Sequence, residues 1–201
     1  MSSLLLWRHA ATPYNKDRRL QGSLDIPLDD AGRAQASRAA RALVERYGGE
    51  MRVHSSPLAR ALGTAQALTD LAGGEVNVDS RLTQRSYGVW EGMTWEEIRA
   101  QYPAEYAQRM RYEDPDIEGW DNAESVAARV SASLREIADG DRTVVMVSHG
   151  SAISLGLLAL VGLTGTARVF ARLRHAHWVD MRAAADGTWQ VHGFNLGADW
   201  S

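Results

Sequence analysis

The chain has 201 residues, a formal net charge of −3, 45% hydrophobic and 23% charged residues, which is the profile of one soluble globular domain with a full core. It carries no basic block of the kind that binds nucleic acid and no apolar run long enough to span a bilayer. It also lacks a signal-peptide pattern and has no cysteine for a disulfide or a thiolate metal site, so a cytoplasmic protein without a membrane partner is expected.

Ser3 to Trp7 is an apolar run of strand length that stops at Arg8-His9, with a polar turn from Ala10 to Asn15. Asp29 or Asp30 is placed to cap a helix whose apolar positions are Ala36, Ala39, Ala40, Leu43 and Tyr47, and Gly48-Gly49 stops it. Met51 to His54 is a second short strand. Ser56-Pro57 reads as a helix start, a hydroxyl cap followed by proline at the first helical position. Ala61, Leu62, Ala65 and Leu68 give that helix its stripe, Gly73-Gly74 ends it, and Val76 to Val78 is a further short strand.

From Thr83 to Asp121 the periodicity loosens in a segment rich in Trp, Tyr, Glu and Arg. A mostly helical insertion over one edge of the sheet is expected there. Val126, Val130, Leu134 and Ile137 mark the next helix. Thr143 to Val147 is a β-branched apolar run, hence a buried parallel strand, and it ends in Ser148-His149-Gly150. A helix over Ser151 to Val161 follows. Trp178 to Met181 and Trp189 to Phe194, separated by Asp186-Gly187, read as a closing hairpin. The alternation predicts an α/β fold, a three-layer α/β/α sandwich with a mostly parallel central sheet, formed as one domain over 1–201.

Two of these strands share a design: each is apolar, each ends in a histidine, and each runs into a turn. The carboxyl ends of parallel strands lie along one edge, where α/β proteins bind ligands. Neighbouring strands therefore bring His9 and His149 together. Arg60, in the first turn of the helix after the second strand, joins Arg8 in the same positive pocket, which suits a phosphoryl group. Phosphoryl transfer needs in-line positioning and neutralisation of spread negative charge. No carboxylate cluster with metal-ligand spacing is present, so no metal and no other cofactor is expected, and the arginines and histidines carry that load. Neighbouring cations keep one imidazole unprotonated for attack.

These residues resemble the histidine phosphatase (phosphoglycerate mutase-like) superfamily. Leu6-Trp7-Arg8-His9-Ala10-Ala11-Thr12 with Asn15 is similar to the family's Arg-His-Gly/Ala-x-Thr-x-x-Asn signature. Leu20-Gln21-Gly22, Leu28-Asp29-Asp30-Ala31-Gly32, Ser55 to Ala61, Tyr87 to Gly92, Glu124-Ser125 and Val147 to Gly150 extend the resemblance in order over the whole chain. The resemblance implies that His9 is the nucleophile and becomes phosphohistidine. It implies that Arg8, Arg60 and His149 bind the phosphoryl group, that Asn15, Gln21 and Gly22 line the site, and that the Gly150 amide adds a donor. The closest branch is that of broad and sugar-phosphate phosphatases, with a small phosphorylated substrate. The alternatives are a mutase that moves phosphate within one substrate and a non-catalytic binder of phosphate esters. A homodimer through a sheet edge is compatible with this fold.

The pattern breaks at one place. Family members carry a glutamate as general acid in Leu-x-Glu-x-x-(Phe/Tyr)-Gly, and here the segment is Leu82-Thr83-Gln84-Arg85-Ser86-Tyr87-Gly88. Gln84 is able to hydrogen-bond a leaving oxygen but not to protonate it. Four readings stand: an engineered variant, another carboxylic acid with Glu91 nearest, a leaving group good enough to need no acid, or a binder. His54, His175 and His192 read as structural or surface residues and His177 as a weaker candidate for the site. Trp90, Trp95 and Trp120 read as packing in the insertion or as a wall for the leaving group.

Overall fold

A computed structural model describes residues 3–138, 142–163 and 169–198. Six strands form one sheet in the order β3-β2-β4-β1-β5-β6. They are β1 (Ser3–Arg8), β2 (Met51–Ser55), β3 (Val76–Val78), β4 (Thr143–Ser148), β5 (Trp178–Ala183) and β6 (Trp189–Leu196). β3, β2, β4 and β1 run parallel, while β5 and β6 are antiparallel additions beside β1. Helices cover both faces, so the expected three-layer α/β/α arrangement is the one observed.

The two-residue period of β1 divides the core. Leu5 and Trp7 face one side with Val53, Val145 and Val147, and there they meet α2 (Asp30–Tyr47) through Ala36, Ala39, Ala40 and Leu43, and α3 (Ala59–Ala72) through Ala61, Ala65 and Leu68. Leu4 and Leu6 face the other side with Val144 and Met146, against α6 (Ala123–Ile137) and α7 (Gly150–Leu160). All six residues of β1 are buried, which is why the run lacks polar alternation.

Local chemistry sets the helix ends. Asp29 caps α2 by accepting from the Gly32 amide at 2.7 Å. Within the polar turn expected after β1, α1 (Pro13–Lys16) is a single helical turn held by a capping box between Thr12 and Asn15. The anticipated cap at Ser56-Pro57 is not made. α3 starts at Ala59, and the Asp25 carboxylate accepts from the Ala59 amide at 2.6 Å. The Ser56 hydroxyl lies 2.8 Å from His149 Nε2 and accepts from the Leu58 amide at 3.3 Å, ahead of the helix.

The 83–121 segment is helical over less than half its length: a 3₁₀ turn at Gly88–Trp90, α4 (Trp95–Gln101) and α5 (Pro103–Met110). Its aromatic side chains build a small cluster of their own around Leu20, Trp90 and Ile98. The irregular part is held by polar contacts. Arg85 is paired with Asp114, donates to the Asp121 carbonyl at 2.7 Å, and lies 4.5 Å from the Trp120 ring centroid. Among the described residues, no helix is long and apolar enough to cross a membrane.

α6 and α7 cross at Gly156, where an added Cβ meets the Cβ of Val130 at 2.9 Å and Leu134 Cδ1 at 3.5 Å. Gly156→Ala should therefore overpack this contact and lower stability by about 1–3 kcal/mol. Urea unfolding followed by tryptophan fluorescence measures it, and an unchanged midpoint contradicts this account of the packing.

Candidate active site

The register between β1 and β4 builds the site. Arg8 pairs with Ser148, so the next residues, His9 and His149, leave the sheet side by side with ring centroids 5.1 Å apart. β2 lies on the far side of β4 and delivers Ser55, Ser56 and then Arg60 in the first turn of α3. Each of these groups is buried: Arg8, His9, Arg60 and His149 are between 0 and 6% exposed.

Backbone carbonyls hold the buried cations. Arg60 donates to the carbonyls of Leu24 at 2.6 Å and Gly22 at 2.8 Å. Gly22, with φ +53°, therefore serves as the seat of Arg60 and is not among the cavity-lining residues. Arg8 donates to the Leu173 carbonyl and to His175 Nε2, both at 2.6 Å. The Nε atoms of both arginines and Nδ1 of His149 are buried without a hydrogen-bond partner. Burial first, and Arg172 second, lower the Arg8 pKa to about 9, and burial lowers that of Arg60 to about 10, so both remain charged at neutral pH.

His9 Nδ1 lies 2.7 Å from the Ala10 carbonyl, an acceptor only. The proton is therefore on Nδ1, and Nε2 keeps its lone pair. Burial, followed by His149, Arg8, Arg60 and His175, holds the His9 pKa well below its ordinary value. His149 is held down in the same direction by burial and by Arg60, Arg8 and Arg129, and its Nε2 is 2.8 Å from the Ser56 hydroxyl.

A cavity of about 1130 Å³ opens over this edge. Arg8, His9, Asn15, Gln21, Arg60, Gln84 and Gly150 line it, and His149 lies fully buried behind. Asn15 and Gln21 share the Thr12 hydroxyl, at 3.1 and 2.9 Å. Gly150 packs against the Arg8 guanidinium, where an added Cβ would lie 3.3 Å from Cζ. Gln84 Oε1 accepts from the Arg85 amide at 3.0 Å and lies 3.4 Å from the Ala152 amide in the first turn of α7.

Glu91 does not reach the cavity. Its carboxylate accepts from Ser23 N and Oγ at 2.8 and 2.7 Å and from Tyr87 N at 3.0 Å, and so ties the 20–23 loop to the insertion. Trp95 lines the cavity, whereas Trp90 is core and Trp120 carries Arg85.

One histidine read as structural is in the site. His175 is 5.5 Å from the His9 ring centroid, bonds Arg8 and lines the cavity. The segment before β5 pairs with the end of β1 (Arg8 N donates to the His177 carbonyl at 2.9 Å, and Ala176 N to the Arg8 carbonyl at 3.1 Å), and this brings His175 back to Arg8. His177 also lines the cavity, with Nδ1 3.0 Å from the His175 carbonyl. Nothing in the irregular 169–177 sequence marks this return; its one signal is two arginines and a histidine, Arg172, Arg174 and His175, close before a strand.

The family model of the histidine phosphatase superfamily (branch 1) matches residues 4–196. The chain belongs to that family. It is 35% identical to a glucosyl-3-phosphoglycerate phosphatase of Mycolicibacterium vanbaalenii over 97% of this chain and 95% of the relative. With phosphoserine phosphatase 1 of Hydrogenobacter thermophilus it shares 33% identity over 81% and 78% of the two chains. The solved mycobacterial glucosyl-3-phosphoglycerate phosphatase in complex with VO3 superposes with a TM-score of 0.87 and 31% identity, over 98% of this chain and 100% of that one. The protein is a histidine phosphatase, and its strands and helices follow that fold.

In this histidine phosphatase three imidazoles, His9, His149 and His175, sit among arginines and all have depressed pKa values, that of His175 down to about 3. The folded state therefore resists protons that the unfolded chain accepts near pH 6.5. The stability contributed is complete above pH 6.5 and is lost as pH falls below it, with a limiting slope of about three protons. NMR of the imidazole nitrogens from pH 8 to pH 5 should show all three neutral while the urea midpoint falls. Titration of any of the three near pH 6.5 in the folded protein contradicts this.

Proposed function

We propose that this phosphatase hydrolyses a small phosphorylated metabolite through a phosphohistidine on His9. The observation that carries the reading is the His9 Nδ1 contact with the Ala10 carbonyl, which leaves Nε2 with a free pair beside two buried guanidinium groups. Nε2 attacks phosphorus, the bond to the leaving oxygen breaks, and water then cleaves the P–N bond to release phosphate and regenerate His9.

Arg8 and Arg60 neutralise the equatorial oxygens with the Nε atoms that no protein group engages. His149 Nδ1 and the Gly150 amide, at the N-terminus of the 11-residue α7, add donors on the other side. Asn15 and Gln21 line the approach. Their mutual contacts through Thr12 hold the first turn after β1 in place. The relatives named for glucosyl-3-phosphoglycerate and phosphoserine support a small organic phosphate as the substrate class.

Gln84 stands where the family resemblance places a glutamate, and it lines the cavity beside Arg8 and His9. As an amide it orients the leaving oxygen without protonating it. General acid catalysis is typically worth about 10²–10⁴-fold, and that factor is missing for substrates whose leaving group is an alkoxide.

His9→Ala should abolish phosphate release and the acid-labile phosphoenzyme seen after rapid quenching with ³²P-labelled substrate. A labelled His9→Ala protein overturns the assignment of the nucleophile. Gln84→Glu should raise kcat/KM on an alkyl phosphate by about 10²-fold or more, with a much smaller effect on p-nitrophenyl phosphate. Equal effects on both contradict the role given to position 84.

A further inference from the structure

We propose that the cavity also hydrolyses phosphoanhydrides, taking the terminal phosphoryl group from a di- or polyphosphate. The inference rests on the phosphohistidine reading above and extends it to the bond that is cleaved. Two independent observations meet in it: the described cavity wall offers no carboxylic acid for the leaving group, and it offers more positive charge than one phosphoryl group uses.

The first observation is the set of groups at the cavity wall. Among the described residues, no aspartate or glutamate lines it. Gln84 is an amide, and the Glu91 carboxylate is consumed by Ser23 and Tyr87. His175 Nε2 accepts from the Arg8 guanidinium, so that imidazole is neutral and its basic nitrogen is occupied. An alkoxide leaving from phosphorus must collect a proton. A departing phosphate does not, since its oxygen binds a proton only near pH 6.

The second observation is unspent charge. Eight arginines line the cavity. Arg8 and Arg60 belong to the phosphoryl site, Arg19 is paired with Glu97, and Arg85 with Asp114. Arg18, Arg109, Arg172 and Arg174 have no carboxylate partner among the described residues. Arg172 is close enough to Arg8 and His175 to lower the pKa of both. Arg18, Arg172 and Arg174 are exposed and Arg109 is half-buried, so they stay solvated and lend the cavity mouth a positive field that attracts an anion. A leaving group that is itself a phosphate brings that charge to the position next to the reacting phosphorus, inside the cavity that Arg172 lines. The volume of about 1130 Å³ leaves room for a ligand well beyond one phosphoryl group.

The step balances with water alone. His9 Nε2 bonds to the terminal phosphorus as the bond to the bridging oxygen breaks. The electron pair leaves on that oxygen as the shortened phosphate. Water then displaces His9, giving inorganic phosphate and one proton to solvent.

The test compares kcat/KM for inorganic tripolyphosphate, ADP, glycerol 3-phosphate and p-nitrophenyl phosphate in the full-length protein and in Arg172→Gln, with acid-quench trapping of phosphoenzyme. Tripolyphosphate or ADP should exceed glycerol 3-phosphate by 100-fold or more, and the faster of the two identifies a free or a nucleoside-borne polyphosphate. Arg172→Gln should cost the anhydride tenfold more than it costs p-nitrophenyl phosphate, chiefly in KM. The anhydride proposal falls, with the phosphohistidine reading intact, if phosphoenzyme forms but glycerol 3-phosphate is cleaved as fast as both anhydrides. It falls equally if p-nitrophenyl phosphate alone is cleaved, or if Arg172→Gln affects all substrates alike. Absence of phosphoenzyme and phosphate release with every substrate overturns the phosphohistidine reading and this one with it.

Discussion

The parallel pairing of β1 with β4 is the contact on which the site depends. Arg8 opposite Ser148 and Trp7 opposite Val147 leave no freedom in where His9 and His149 emerge. A slip of one residue reverses which side chains face each helical layer, and would move Leu4 and Leu6 out of contact with α6 and α7. The apolar alternation that stabilises the sheet is thus the same constraint that sets the two imidazoles 5.1 Å apart. Fold stability and site geometry are one quantity here, because the reactive residues are the first ones past the last hydrogen-bonded pair.

Burying two guanidinium groups beside that pair requires compensation, and the chain supplies it with carbonyls rather than carboxylates. Arg60 is held by the carbonyls of Leu24 and Gly22, and Arg8 by that of Leu173 with His175. A carbonyl accepts the hydrogen bond without neutralising the charge. The net positive field survives into the cavity and adds to burial, the larger cause, in keeping the imidazoles deprotonated. Carboxylate partners in the same places would satisfy the donors equally well, but would raise the His9 pKa and compete with an anionic ligand. The carboxylates nearby are turned to other tasks: Asp25 caps α3 and Glu91 braces the 20–23 loop.

Much of this was legible in the sequence, for an identifiable reason. β1 and β4 are apolar runs of strand length, each ending in a histidine, and a parallel sheet has one carboxyl edge. The convergence of Arg8, His9 and His149 needed those two facts, and Arg60 followed from the helix start after β2. His175 was not legible. It reaches Arg8 through β5 folding back antiparallel on β1, a long-range pairing with no local periodicity, and its own segment is irregular. Ser56 was misread for a related reason. A serine before a proline carries the local pattern of a cap, yet its hydroxyl meets His149 from 93 positions away in the chain, and the capping oxygen comes from Asp25. The 83–121 segment was legible as an insertion but not in its conformation, because the Arg85–Asp114 pair and the Trp120 stack that hold it leave no repeating pattern.

Gln84 gains meaning from these surroundings. At the first turn of α7 its amide oxygen faces backbone N–H groups, from Arg85 at 3.0 Å and Ala152 at 3.4 Å. A glutamate in that place would supply the proton donor that the amide lacks, and would add a carboxylate to a wall lined by arginines. A neutral amide adds no negative charge to that wall, and among the described residues no aspartate or glutamate lines the cavity. In the function and inference proposed above, the lack of a carboxylic acid and the arginines of the wall act together, with the leaving group favoured by its charge rather than by protonation.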